Sequence, residues 1–298
     1  MTPDVNGGAP QPLLRRIDAI AIIVGIVVGA GIFKTPSMVA GVTGDAGWAI
    51  VAWGLGALVS LAGALCYAEL ATTYPHAGGD YHFLTRAWGR DISFLYAWAR
   101  ATVINTGSIA LLAFVFGDYM SKIVPLGGAS GALWAAIIVI VLTAVNIAGL
   151  RASSRTQNLL TIVEVGGLVA VAIAGFLAAP ATPTPAAFSS TPAIGLFGLS
   201  MVFVLLTYGG WNEAAYISAE IKGGKREIVP VLITSLAILA GIYIIVNLAL
   251  LHGLGLKGLA DSKAAGADVM ERAFGLRGAQ LVSLFVAIAA QNTIGVTG

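Results

Sequence analysis

The chain has 298 residues, 58% of them hydrophobic and only 10% charged, with a mean hydropathy of +0.90. A soluble domain carries about 25% charge, so the composition excludes one and describes an integral membrane protein. A formal net charge of +2 is too small for a nucleic-acid binder, and one cysteine, Cys66, leaves no internal disulfide and no Cys-rich metal site.

Roughly 20 apolar residues cross a bilayer. The expected spans are 17–41, 46–72, 92–121, 131–149, 157–179, 195–219, 228–252 and 279–298, eight in all. The first follows Arg15 and Arg16, is longer than a signal h-region and lacks a small-residue cleavage site, so it is expected to stay. The eighth stops at Gly298 without a charged flank and is expected to be cut short. Segment 253–278 is expected to form a short amphipathic helix on the outer face. His76, His82 and His252 fall in different segments at no metal-ligand spacing, so neither metal nor cofactor is expected.

Lys and Arg near helix ends set orientation. Arg15, Arg16, Arg86, Arg90, Arg100, Arg151, Arg155, Lys222, Lys225 and Arg226 fall on one side; Lys122, Lys257, Lys263, Arg272 and Arg277 fall on the other. Ten against five predicts a cytoplasmic N-terminus and puts the uncharged stretch Pro180 to Pro192 outside. The expected location is the cell membrane, crossed many times; in a bacterium this is the inner membrane.

Two spans are interrupted by glycine. The first carries Gly25, Gly29 and Gly31 in Gly25-Ile26-Val27-Val28-Gly29-Ala30-Gly31-Ile32-Phe33. The sixth carries Leu205-Leu206-Thr207-Tyr208-Gly209-Gly210-Trp211-Asn212. Lipid tolerates such a break only where it faces protein or a water-filled cavity. The broken spans start five crossings apart, so they point in opposite directions, as an inverted repeat requires. The expected organisation is a tail over 1–16, a first five-helix repeat over 17–179, an external loop over 180–194, and the start of a second repeat over 195–298.

Broken ends expose free N–H groups with partial positive charge and free C=O groups with partial negative charge. A zwitterion matches both. Amides near Ala30, Gly31 and Ile32 suit a carboxylate; carbonyls near Val27, Val28 and Leu206 suit an ammonium. Glycine permits the close backbone approach this needs.

These residues carry a family resemblance. Gly29-Ala30-Gly31-Ile32-Phe33 is similar to the helix 1 unwinding of the amino acid–polyamine–organocation superfamily, in its L-amino acid transporter-like branch. Tyr67-Ala68-Glu69-Leu70 with Pro75-His76-Ala77-Gly78-Gly79-Asp80-Tyr81 resembles the helix 2 end and following loop, and Tyr208-Gly209-Gly210-Trp211-Asn212 the helix 6 break. The resemblance runs from about residue 15 to the C-terminus. It implies an all-α, leucine-transporter-type 5+5 inverted repeat with discontinuous helices 1 and 6, here truncated in helix 8. It also implies alternating access and amino acid transport, often by exchange. Asn105 falls where relatives touch substrate from helix 3. Relatives often carry an aromatic gate where this chain has Leu206, so Tyr208 or Trp211 is the substitute. Animal relatives join a heavy subunit through a cysteine after helix 3; the loop Ser121 to Ser130 has none, so no disulfide-linked heavy subunit is expected.

Charges inside spans usually serve function. Glu164 lies about eight residues into the fifth span, where relatives often carry a lysine, and Lys34 sits just past the first break. One arrangement pairs them near the site, with Glu164 coupling protons to substrate; in the other, Lys34 snorkels outward and Glu164 caps a neighbouring break. No Walker motif and no catalytic pairing appears in the spans, so neither ATP drive nor an enzyme is expected. Glu213 and Glu164 leave a polyamine or cationic amino acid carrier open, and a non-transporting amino acid sensor fits the same site.

Overall fold

A computed structural model describes residues 15–74, 78–147, 154–180, 187–211 and 225–297. No strand occurs among them. Helix α1 covers Arg16–Val27, a 3₁₀ turn Ala30–Phe33, and α2 Thr35–Thr43. Next come α3 (Ala46–Thr73), α4 (Gly79–Trp88) and α5 (Arg90–Ile123), the last with a π turn over Arg100–Ile104. Then follow α6 (Ser130–Ile147), α7 (Ser154–Leu177), α8 (Ile194–Tyr208), α9 (Lys225–Asp261) and α10 (Ala265–Thr297). Asn212, Glu213, Glu220, Lys222 and Arg151, noted in the sequence, lie outside the described residues.

Local chemistry explains the boundaries. Pro36 sits in the first turn of α2, where a missing N–H costs nothing. Gly44 ends α2 with φ +63, a left-handed cap that favours glycine. Asp45 then caps α3 by accepting from the Trp48 N–H at 3.1 Å. Its carboxylate also accepts from the N–H groups of Phe188 and Ser189 at 3.0 and 2.9 Å, which ties the loop before α8 to the start of α3.

Three contacts show that α1 and α9 run side by side in the same direction. Arg16 pairs with Glu227 at 3.4 Å, Tyr243 reaches Val27, and Lys34 reaches the Lys263 carbonyl. Helices α3 and α8 are likewise parallel. Gly47 packs on Phe188, Gly56 on Val204 and Tyr208, and Gly63 on Trp211. Small residues permit such close helix approach in a membrane. The largest fully buried side chains include Trp53, Tyr119, Tyr208, Tyr243, Ile23 and Ile32, so the core surrounds the interruption after α1.

Three described helices are long and apolar enough to cross a bilayer: Ala46–Leu70, Arg90–Ile123 and Arg226–Asp261. Ser130–Val145, Glu164–Leu177 and Ile194–Tyr208 are shorter apolar helices. Of the spans expected from hydropathy, the first and the sixth are those read as interrupted by glycine. The first is split in two, and the sixth leaves its described helix at Tyr208.

Segment 253–278 also departs from expectation. It is not one surface helix. Helix α9 continues to Asp261 across a kink at Gly255, and α10 starts at Ala265. Leu259, Ala264, Ala265, Ala267, Val269 and Met270 are buried there. The reason is packing: Gly266 sits against Tyr119, Val171 and Phe33, where no larger residue fits.

Two outcomes test this packing. A Cβ at Gly117 would collide with the Gly131 carbonyl oxygen, a backbone atom that cannot move aside. Gly117→Ala is expected to destabilise the protein by about 1–3 kcal/mol, measured by unfolding in detergent. At Asp45, burial pushes the carboxyl up, but N–H donors from Trp48, Phe188, Ser190 and Ser189 outweigh burial and hold it down at about 2. A carboxyl depressed on folding stabilises the fold above its unfolded value, about 4, and loses that share as pH falls towards its folded value. Asp45→Asn should therefore melt below wild type at pH 7, with the gap closing between about pH 4 and pH 2.

Candidate functional site

The first interruption begins where α1 runs out of hydrogen bonds. Val28 still donates to the Val24 carbonyl at 2.8 Å, but its ψ of 93 turns the chain extended. Gly29 is extended too, with φ −117 and ψ 175. Ile32 then donates weakly to the Gly29 carbonyl at 3.3 Å, and Lys34 to Gly31 at 3.0 Å. None of the described hydrogen bonds uses the Ala30 or Gly31 N–H. The second interruption follows Tyr208. Gly209 folds back to the Leu206 carbonyl at 3.3 Å, and Gly210 takes φ +104, a conformation that favours glycine.

The two interruptions meet. The Tyr243 hydroxyl, from the middle of α9, lies 3.0 Å from the Val27 carbonyl and 3.3 Å from the Thr207 carbonyl, so one proton serves both. The Thr207 hydroxyl lies 2.7 Å from that of Thr35 and 2.9 Å from the Phe203 carbonyl. Gly31 faces Thr207, with room for a Cβ at 3.7 Å from its hydroxyl oxygen. Trp53, Tyr208 and Tyr243 close the far wall as an aromatic triangle, with ring centroids 5.0–5.9 Å apart.

Polar atoms are left over here. The Tyr208 hydroxyl, the Trp53 indole N–H and Glu164 Oε1 are buried with no hydrogen-bond partner among the described residues. Glu164 is only 2% exposed and lies within electrostatic reach of Tyr243. Buried polar atoms are nearly always paired, so orphans gathered at one place call for a ligand, an ion or water.

The sequence candidates separate into groups. Val27, Val28, Ala30, Ile32 and Tyr208 are buried at the meeting point, with Gly31 and Gly209 partly so. Trp211 stands one step further along, edge-on to Tyr67 at 5.2 Å. The Leu206 side chain is 60% exposed, and its carbonyl accepts from the Gly209 N–H because the chain turns back on itself there. Asn105 follows the π turn and lines another cavity, of about 220 Å³, with Asp80, Tyr96 and Arg100. Asp80 accepts there from the Tyr96 hydroxyl at 2.7 Å and from Arg100 at 3.0 Å.

The expected Lys34–Glu164 pairing does not form. Lys34 Nζ lies 2.6 Å from Asp118 Oδ2 and 3.1 Å from the Lys263 carbonyl. The turn after Phe33 carries Lys34 past the interruption to the C-terminal end of α5. Sequence reading also missed Thr35, Thr207, Tyr243, Asp118 and Tyr119. Tyr243 did leave a signal, a lone hydroxyl inside an otherwise apolar run.

Tyr243→Phe removes the shared proton and leaves two buried carbonyls without it. The expected cost is about 1–3 kcal/mol, read as a lower unfolding midpoint in detergent, with the helical circular dichroism retained.

Comparison with known proteins bears on this site. The rabbit (Oryctolagus cuniculus) protein named "Large neutral amino acids transporter small subunit 2" is 29% identical over 295 residues, 92% of this chain and 54% of its own length. The Bacillus subtilis "Serine/threonine exchanger SteT" is 28% identical over 271 residues, 91% of this chain and 62% of its own. The mouse "Asc-type amino acid transporter 1" is 28% identical over 271 residues, 87% of this chain and 51% of its own. The chain thus spans roughly half to three-fifths of the length of these relatives, which are named as transporters rather than enzymes. The profile of the family described as "Amino acid permease" matches residues 14–294, so the interruptions, the aromatic triangle and nearly all the rest of the chain fall inside it, and the chain belongs to that family.

Proposed function

We propose that this chain belongs to a secondary transporter that carries amino acids across the cytoplasmic membrane by alternating access. One observation carries the reading: the Tyr243 hydroxyl bonds at once to carbonyls on both interrupted helices, Val27 and Thr207, so the two breaks form one place. The Ala30 and Gly31 amides receive the substrate carboxylate, while the Ile32 amide, expected to join them, is already given to the Gly29 carbonyl at 3.3 Å. Carbonyls around Val27 and Val28 receive the ammonium. The Leu206 carbonyl accepts from the Gly209 N–H at 3.3 Å and keeps a second lone pair for the same ammonium. Tyr208 and Trp211 border the side-chain space, and Asn105 meets substrate on its way to the cytoplasm.

The proposed architecture is the 5+5 inverted repeat of the leucine-transporter type, with the N-terminus in the cytoplasm. Helices α1 and α8 enter the meeting point from opposite faces, which supports it. The substrates are neutral amino acids and the mode is exchange, by analogy with relatives so named. Glu164, buried and with no partner for Oε1 among the described residues, takes up and releases a proton during the cycle. No disulfide joins a heavy subunit through the loop after α5, since Cys66 lies in α3.

Full-length protein in proteoliposomes loaded with serine should take up labelled serine, alanine or leucine faster than empty-loaded vesicles. No uptake of any amino acid above protein-free vesicles would refute the reading. A Cβ at Gly31 meets Thr207 only at ordinary contact distance, 3.7 Å, so Gly31→Ala should fold normally yet lose uptake by tenfold or more. Glu164→Gln should flatten the dependence of uptake on external pH; an unchanged profile would discard Glu164 as the proton site.

A further inference from the structure

Beyond the meeting point, on the face opposite Arg16, four contacts fasten the second half of the interrupted helix. Lys34 Nζ binds Asp118 Oδ2 at 2.6 Å and the Lys263 carbonyl at 3.1 Å. One residue along, the Tyr119 hydroxyl lies 3.2 Å from the Phe33 carbonyl and 3.0 Å from the Gly266 N–H. The carbonyl accepts the hydroxyl proton and the N–H donates to the same oxygen, so each role is filled once. The 3₁₀ turn is thereby held to the end of α5 and to the bend between α9 and α10. Behind it lie Ala30 and Ile32, both fully buried.

The two halves of this fastening differ in kind. Tyr119 is wholly buried, but the Lys34 and Asp118 side chains are 21% and 16% exposed. A pair at this depth keeps some water, so opening it costs far less than separating a dry ion pair. Lys34 also lines a cleft with Ser37, Met38, Phe203 and Ser262, where a released ammonium finds water and hydroxyls. Lys122 and Asp268 pair at 2.6 Å on the same face, but they tie α5 to α10 without touching the interrupted helix.

We infer that Lys34 and Asp118 form a latch that closes the site on the face opposite the N-terminus. The pair holds the 3₁₀ turn Ala30–Phe33 against α5, and it must part before a substrate enters from that face. When it parts, Lys34 moves into the adjoining cleft and the turn swings on Tyr119. This inference rests on the transport reading above, but its test does not need flux.

The test uses full-length protein in proteoliposomes of known orientation, with Cys66 and any other cysteine of the full-length protein replaced as background and Ala30→Cys as reporter. The readout is the rate at which a membrane-impermeant thiol reagent, applied on the face opposite the N-terminus, modifies the reporter. Asp118→Asn and Lys34→Met should each raise that rate at least fivefold. The exchanged pair, Lys34→Asp with Asp118→Lys, should return it to within twofold of the background protein. Lys122→Met should leave it within twofold. Unchanged rates in both single variants would overturn the latch. So would a rate in the exchanged pair, or in Lys122→Met, as high as in the singles, because general loosening would then account for the effect. Absent amino acid flux in the unsubstituted protein, with the modification pattern intact, would refute the transport reading and leave the latch standing.

Discussion

The constraint on which this structure depends is the cost of an unpaired main chain in an apolar interior. A peptide group with no partner costs several kcal/mol in hydrocarbon. Helix α1 nevertheless ends at Val27, and α8 ends at Tyr208, both at buried positions. The structure meets that cost by bringing the two ends together and inserting one phenol between them. Tyr243 serves Val27 and Thr207, and Thr207 serves Thr35. What remains unmatched, the amides of Ala30 and Gly31, is then a property of the site and not a defect of the fold.

Charge follows the same logic. Arg16–Glu227 and Arg100–Asp80 lie towards one face, Lys34–Asp118 and Lys122–Asp268 at the other. Pairs near the ends keep part of their hydration and cost little to hold. The interior retains Glu164, whose Oε1 has no partner among the described residues. An acid at that depth is costly to ionise, because its charged form finds no solvent. Close packing does the rest: Gly56, Gly63, Gly117 and Gly175 let helices approach until backbone meets side chain or backbone.

Much of this was legible in the residues. The interruption at Gly29-Ala30-Gly31 and the turn at Gly209-Gly210 could be read from glycine placed where a span needs helix formers. Counting crossings gave their opposite directions, and the family resemblance implied that they line one site. Other features were not legible. The four-residue turn by which the Gly209 N–H reaches the Leu206 carbonyl left no mark in the sequence. Lys34 was expected near Glu164, yet the 3₁₀ turn advances the chain far enough to deliver it to Asp118. Segment 253–278 looked like a surface helix, because its alternation of polar and apolar residues does not reveal that Gly266 fits under Tyr119.

Sequence alone determined the class of this protein and the places where its helices fail. Both are local matters: hydropathy over a bilayer's thickness, and glycine where a continuous hydrogen-bond ladder would otherwise run. Tertiary structure decided the partners. Tyr243 and Val27 are separated by 216 positions, Lys34 and Asp118 by 84. Which distant group meets which depends on crossing angles and on the exact advance of each turn, and no pattern of neighbours along the chain encodes those.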